Sequence, residues 1–356
     1  MLAQTKTVNV VTTAVPFLQV PSDAVASGMA ATGIATTPDA NAVYWNQAKL
    51  PFAKSKGAIS ANYTPWLKEW AGDMYLACLA GYYKLSDGDA IHGSIKYFNP
   101  GDIQFTDNNG NHLQAYHPNE FAVEAGYSKK LSDRFGLGLG IKYIRSSLAK
   151  GVQNGESFSS GDAVAADLGC YYTLQKENSE GWAFGAALFN LGSKISYTNN
   201  ANEKAFIPAN LGLGASYTKI FDEQNRLQIG LDINKLLVPS SPALGDTVAL
   251  AAYRNKTVAG SWFSSFSDAP GGMKEELKEF QISLGMEYWY NSLFALRAGY
   301  YYEDQTKGNR KYFSIGAGFR YNAIAVNFSY LAPTGSSASS ELLKGGLQFG
   351  LIANFK

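Results

Sequence analysis

The sequence predicts an all-β fold, a 14-stranded antiparallel transmembrane β-barrel with an N-terminal plug, and three observations carry that prediction. Apolar residues alternate with small or polar ones at period two along many separate stretches. The stretches run to about ten residues, whereas soluble strands average about five or six and a tilted membrane strand needs about 9–11. The connections between them alternate short and long, as membrane barrels require and a soluble sandwich does not.

Residues 1–56 come first and show neither strand alternation nor a long amphipathic period. The run Gly28-Met29-Ala30-Ala31-Thr32-Gly33-Ile34-Ala35 and the following Asp39 to Asn46 are rich in small residues that permit close backbone packing. A barrel of fourteen strands is wider than its own side chains fill, so this segment is expected to plug it. The alternative is a disordered tail. The barrel unit then spans 57–356, with strands expected near 57–66, 73–85, 90–98, 120–131, 134–145, 162–175, 181–190, 207–220, 225–236, 279–290, 292–302, 311–321, 323–332 and 345–355. Short connections fall at Ser86 to Asp89, Leu131 to Asp133, Phe221 to Asn225, Tyr290 to Ser292 and Tyr321 to Ala323. Long ones cover about 99–119, 146–161, 191–206, 237–278 and 333–344. If the short turns are periplasmic, an even strand count puts both termini in the periplasm and makes residues 1–56 a periplasmic segment. The last strand places Leu347, Phe349, Leu351, Ala353 and Phe355 on one apolar face.

The two faces differ in chemistry. Phe135, Leu137, Leu139, Ile141 and Tyr143 oppose Gly136, Gly138, Gly140 and Lys142; Leu227, Ile229, Leu231 and Ile233 oppose Gln228, Gly230, Asp232 and Asn234. Large apolar groups with aromatics at their ends suit lipid, and small or charged ones suit a lumen. The same parity assigns Lys96, Lys142, Arg297 and Arg320, with Glu124, Asp167, Asp232 and Glu287, to the lumen. An Arg or Lys on the lipid face at the midplane would cost about 2–4 kcal/mol. Equal numbers of each sign point to internal pairing that holds a plug rather than to an ion-selective pore. Parity puts Cys78 and Cys170 at lipid-facing or girdle positions and His92 in the lumen.

Composition excludes several function classes. A formal net charge of +1 argues against a nucleic-acid partner, and 17% charged residues lies below the roughly 25% of soluble domains. Two Cys make neither a disulfide framework nor a zinc site. No G-x-S-x-G, H-E-x-x-H or Walker A motif occurs, so no catalytic residue, metal or cofactor is expected. His112 and His117 share one loop and read as solvated. No apolar run of about 18 residues exists, and Met1 to Thr5 carries no basic region before an apolar one, so either a signal has been removed or the chain is not exported.

The block from Ser27 to Leu50, with Trp45-Asn46 followed by Gln47 where Pro is usual, resembles the N-terminal region of FadL-type barrels, and most closely that of the PorV family of the type IX secretion system. Asn62-Tyr63-Thr64-Pro65-Trp66-Leu67, Leu296 to Tyr300 and Tyr312 to Gly318 are also similar to PorV, and the resemblance runs from about Val15 to Lys356. It implies a Bacteroidota outer membrane and a non-enzymatic role in protein export. The implied partners are the giant translocon barrel of the SprA or Sov type, the C-terminal signal domain of exported cargo, and the PorU sortase that attaches cargo to the surface.

The longest connection, Val238 to Lys278, carries Trp262, Phe263 and Phe266 in a Gly/Ser context. Exposed aromatics above a barrel call for a covering surface, and aromatic anchors are what protein interfaces favour. They are the candidate partner-binding residues; the alternative is that the loop buries them over the barrel mouth. The rival function is a FadL-like transporter of hydrophobic small molecules, and a passive porin is a third.

Overall fold

The computed structural model describes the chain apart from residues 1–9, 67–72, 107–111, 149–150, 154–155, 199–203, 241, 243–245, 335–345 and 356. Fourteen antiparallel strands form its wall: β1 (Gly57–Pro65), β2 (Tyr75–Lys84), β3 (Asp89–Asn99), β4 (Asn119–Lys130), β5 (Phe135–Ser147), β6 (Gly161–Thr173), β7 (Gly181–Gly192), β8 (Asn210–Ile220), β9 (Asn225–Leu236), β10 (Gln281–Tyr290), β11 (Phe294–Tyr302), β12 (Lys311–Tyr321), β13 (Ile324–Pro333) and β14 (Gly346–Phe355). Each pairs with its sequence neighbours, and β1 pairs with β14 through Gly57↔Phe355 to Tyr63↔Phe349, so the barrel is closed. Closure follows from the solvent: backbone groups left unpaired in hydrocarbon cost several kcal/mol each. All fourteen expected strands are present.

Alternation along each strand sets the two faces. On β5, Leu137, Leu139 and Ile141 are exposed while the residues between them are buried or half-buried. Rings at strand ends, such as Tyr63, Tyr143, Trp182, Phe294, Phe319 and Phe355, stand outward at the two rims. No helix among the described residues is long and apolar enough to cross a membrane; the strands supply that outer surface. Cys78 departs from the lipid-facing or girdle position that parity predicts. It lies on the inward face of β2 with Leu76, Ala80 and Tyr82, all buried. Both faces of this strand are apolar, so alternation could not tell them apart. Cys170 takes the outward parity of β6.

Residues 10–56 contain short helices where no regular structure was expected: Pro16–Gln19, α1 (Ala24–Gly28), Ala40–Tyr44 and Gln47–Phe52. The last three begin at polar caps, Asp23, Asp39 and Asn46, whose side chains accept from backbone N–H groups one turn on. The segment is bonded to inward-facing side chains all round the wall. Asp232 on β9 accepts from Gly33 N and Ile34 N at 2.7 and 2.9 Å, Ser314 on β12 from Ala30 N at 2.8 Å, and Asn62 on β1 from Ala24 N at 3.3 Å. Inward glycines give the backbone room. A Cβ on Gly299 would lie 2.5 Å from Met29 C and 2.7 Å from Ala30 N; one on Gly138 would lie 2.8 Å from Ala48 N.

Candidate functional site

The long-loop end is built over a cavity. Between β9 and β10 the chain forms a helical cap of α2 (Thr247–Asn255), α3 (Val258–Ser264) and α4 (Met273–Glu276), followed by the 3-10 turn Leu277–Glu279. Asp246 and Thr257 cap α2 and α3 by accepting from Ala249 N at 2.8 Å and Gly260 N at 3.2 Å. The sequence alone predicts a loop here, because Gly260 and four serines obscure the helical character of the stretch.

Buried ion pairs hold the cap. Lys235, at the end of β9, lies 3.2 Å from Glu276 and 2.5 Å from Glu279, with its side chain 1% exposed. Lys307, in the 303–310 loop, lies 2.7 Å from Glu275 and 2.9 Å from Glu279. Burial opposes the Lys307 charge, but the carboxylates of Glu275 and Glu279 hold its ammonium above the ordinary lysine value. Beside it, Arg310 bonds Glu303 through Nε and Nη2, each at 2.8 Å. A second tether joins the cap to the neighbouring loop: Lys194 Nζ donates to the carbonyls of Arg254 and Lys256, each at 2.8 Å, and Phe206 packs edge-on against Tyr253. Sequence reasoning missed all of these. Lys235 falls on the outward parity of β9 and is buried only because residues 276–280 fold against it. A lone lysine among apolar neighbours near a strand end was the available signal.

The cavity beneath has a volume of about 610 Å³. Phe17, Leu18 and Val20 form its floor, Phe98, Phe189, Leu236 and Leu331 its apolar sides, and Lys307 and Arg310 part of its upper rim. Phe17 stacks on Phe98 with centroids 6.4 Å apart.

The three expected contact residues separate in α3 and just after it. Phe263 is 79% exposed and Phe266 40%; Trp262 is half-buried. The Phe266 ring lies 5.6 Å from the Lys235 ammonium, at the base of the cap. Phe263 therefore points outward, while Phe266 helps seat the helix.

The eight expected lumen charges form two pairing groups and three separate sites. Lys142 joins Asp167 at 2.7 Å and Glu124 at 3.4 Å. Arg297 joins Glu287 at 2.8 Å. Lys96 and Asp232 find no ion partner among the described residues; they bond the backbone of residues 10–56 instead, Lys96 Nζ donating to Val20 O at 2.6 Å and Leu18 O at 3.2 Å. Arg320 stacks over Trp289, 4.4 Å from the ring centroid. All are buried except Lys142 and Arg320, which are half-buried. His92 is buried beside Ser128 and Glu124. His117 bonds Asp102 in the open, and the His112 side chain lies outside the described residues. So does Leu67.

The residues behind the sequence resemblance hold the interior segment in place. Trp45 Nε1 donates to Asp23 at 2.6 Å, and Asn46 Nδ2 to Ile34 O at 3.1 Å and Cys170 O at 2.8 Å. Gln47 is fully buried and donates to Asp167 O at 3.0 Å.

The fold is that of known transport barrels. The toluene transporter TbuX of Ralstonia pickettii is 12% identical, with a TM-score of 0.55 over 95% of this chain and 99% of that one. The toluene transporter TodX of Pseudomonas putida is also 12% identical, with a TM-score of 0.53 over 93% and 96%. A FadL homologue of Pseudomonas aeruginosa, again 12% identical, gives 0.50 over 98% and 100%. No curated protein sequence matches. The family model described as type IX secretion system protein PorV matches residues 3–243. With that match across most of the closed 14-stranded wall, the chain belongs to the PorV family and is an outer-membrane component of the type IX secretion system.

Proposed function

We propose that this barrel is a docking component that binds the translocon barrel and the C-terminal signal domain of exported cargo, then hands cargo to the surface-attachment sortase. One observation supports the reading above the others: the cap presents Phe263 to solvent from a base fixed by buried ion pairs. A rigidly mounted exposed aromatic is the anchor a protein partner uses, because little ordering entropy is lost on contact. Val248, Met273 and Leu277 of the same cap are also exposed. In this reading residues 1–56 supply the plug, and the short turns and the C-terminus face the periplasm, whereas the N-terminal end of the described chain reaches the long-loop side, where Ala14 N donates to Phe206 O at 2.9 Å.

Replacing Trp262, Phe263 and Phe266 together by Ala should abolish co-purification of the translocon barrel while the protein still shows the heat-dependent gel shift of a folded barrel. Retained co-purification would remove the cap from the interface. A C-terminal epitope should become accessible to antibody only after the outer membrane is permeabilised; labelling on intact cells would reverse the orientation.

A second reading, transport of a hydrophobic small molecule, is favoured by the apolar walls of the 610 Å³ cavity, a size within the range of ligand pockets. Mass analysis of gently extracted protein decides it. An apolar small molecule retained in place of a protein partner would favour transport.

A further inference from the structure

Towards the short-turn end lies a second cavity of about 70 Å³, between residues 23–49 and the inward faces of β9 to β14. Three guanidinium groups surround the buried indole of Trp289 on β10: Arg320 at 4.4 Å, Arg226 at 5.7 Å and Arg297 at 5.8 Å from the ring centroid. Among the described residues one carboxylate pairs with them. Glu287 lies 2.8 Å from Arg297 and 3.7 Å from Arg226. Arg297 also donates to Asn327 Oδ1 at 3.0 Å. That bond fixes the Asn327 amide with Nδ2 as a free donor, buried and without an acceptor among the described residues. Arg320 Nε is likewise buried without an acceptor. Asp23, Asp39 and Lys49 line the opposite wall; Asp23 accepts from Val25 N, Ala26 N and Trp45 Nε1, and Asp39 from Asn41 N and Nδ2, and neither is in ion-pair contact with a guanidinium among the described residues.

We propose that this cavity binds an oxyanion group, a carboxylate or a phosphate, held by Arg320 and Asn327 with Arg226 at the entrance. Three guanidinium groups share one directly paired carboxylate, and a guanidinium fork matches the oxygens of either group. Roughly 10–15 Å³ admits one water, so the space would also take a few waters, but waters bring no countercharge. Arg226 is the second residue of β9 and Arg320 the second from last of β12. The ligand therefore enters from the short-turn side, opposite the cap. The site does not depend on the partner-docking reading.

The test is equilibrium dialysis of the purified full chain in an uncharged maltoside detergent against radiolabelled orthophosphate. Unlabelled acetate and dioctanoyl phosphatidic acid serve as competitors. One saturable site is expected, weakened about tenfold or more in Arg320→Gln and in Asn327→Asp, and unchanged in Lys219→Gln, an exposed lysine at the same end. The Asp substitution adds a like charge to the pocket, so it carries the test alone if Arg320→Gln does not fold. Preferential displacement by phosphatidic acid assigns a lipid headgroup; displacement by acetate assigns a soluble anion; both support the site. No saturable binding of any probe, or equal binding by folded Arg320→Gln, would overturn it.

Discussion

The two ends of this barrel are built on different principles. At the short-turn end consecutive strands reverse through a few residues, and the geometry is local. Asn291 and Ser292 both take positive φ, 52° and 55°, in the three-residue connection between β10 and β11, the left-handed conformation that tight hairpin turns use. At the long-loop end the cap depends on residues far apart in sequence: Lys235 reaches Glu276 and Glu279 across 41 and 44 positions, and Lys307 reaches Glu275 and Glu279 across 32 and 28. The contrast predicts that substitutions at the cap's base have large effects confined to the cap, whereas substitutions in the short turns have small ones.

Lys235→Met should have the largest effect. It removes the ion partner of buried Glu276 and leaves Glu279 with Lys307 alone, and breaking a buried pair from one side costs about 3–5 kcal/mol. Limited proteolysis should cut within 241–278 while the barrel core stays intact. A protected cap would show that the helices, not the ion pairs, hold it.

Gly299→Val probes the seam between wall and interior segment. With Met29 and Ala30 already against the glycine, overpacking should cost about 1–3 kcal/mol and loosen the segment. Cys78, buried beneath it, should then react with a water-soluble maleimide, and Cys170 on the outer face should not. Unchanged Cys78 protection would mean that the segment holds its place without that contact.

The pH dependence of the cap follows from Lys307. Its folded-state pKa lies above the ordinary 10.5. The stabilisation is therefore fully present below that value and lost as pH rises through the folded-state value. Cap protection should stay constant from neutral pH to about 10 and fall above it. A fall between pH 7 and 9 would place the controlling group elsewhere.

The smallest effect is expected at Ser292→Gly. Relief of left-handed strain, about 1 kcal/mol, is largely offset by the greater freedom of glycine in the unfolded chain. The melting temperature should barely move. A large shift would show that the short turns carry more of the stability than this comparison allows.

Much of the wall was legible because alternation is a local code. Residues such as Leu137, Gly138 and Leu139 state their own faces once the chain is extended. The code failed at Leu76 to Ala80, where both faces are apolar, and Cys78 was placed outside the wall. The interior segment was legible only as a composition of small residues. Its helix starts were written in Asp23, Asp39 and Asn46, but a cap marks a helix only when apolar periodicity follows it, and these helices are too short to show any. In α3 the aromatics stood out, yet which of them is free depends on Lys235 and Glu279 beneath them.

What the sequence determined by itself was the number of strands, their order and the facing of most wall residues, because in hydrocarbon each strand must pair and each charge must turn inward. Only the tertiary structure decided which charges meet. Lys142 finds Asp167 while Asp232 takes backbone N–H groups from Gly33 and Ile34, and Lys235 is buried from its outward side. Parity specifies a direction, whereas pairing depends on which distant segment packs over each side chain, and no local pattern encodes that.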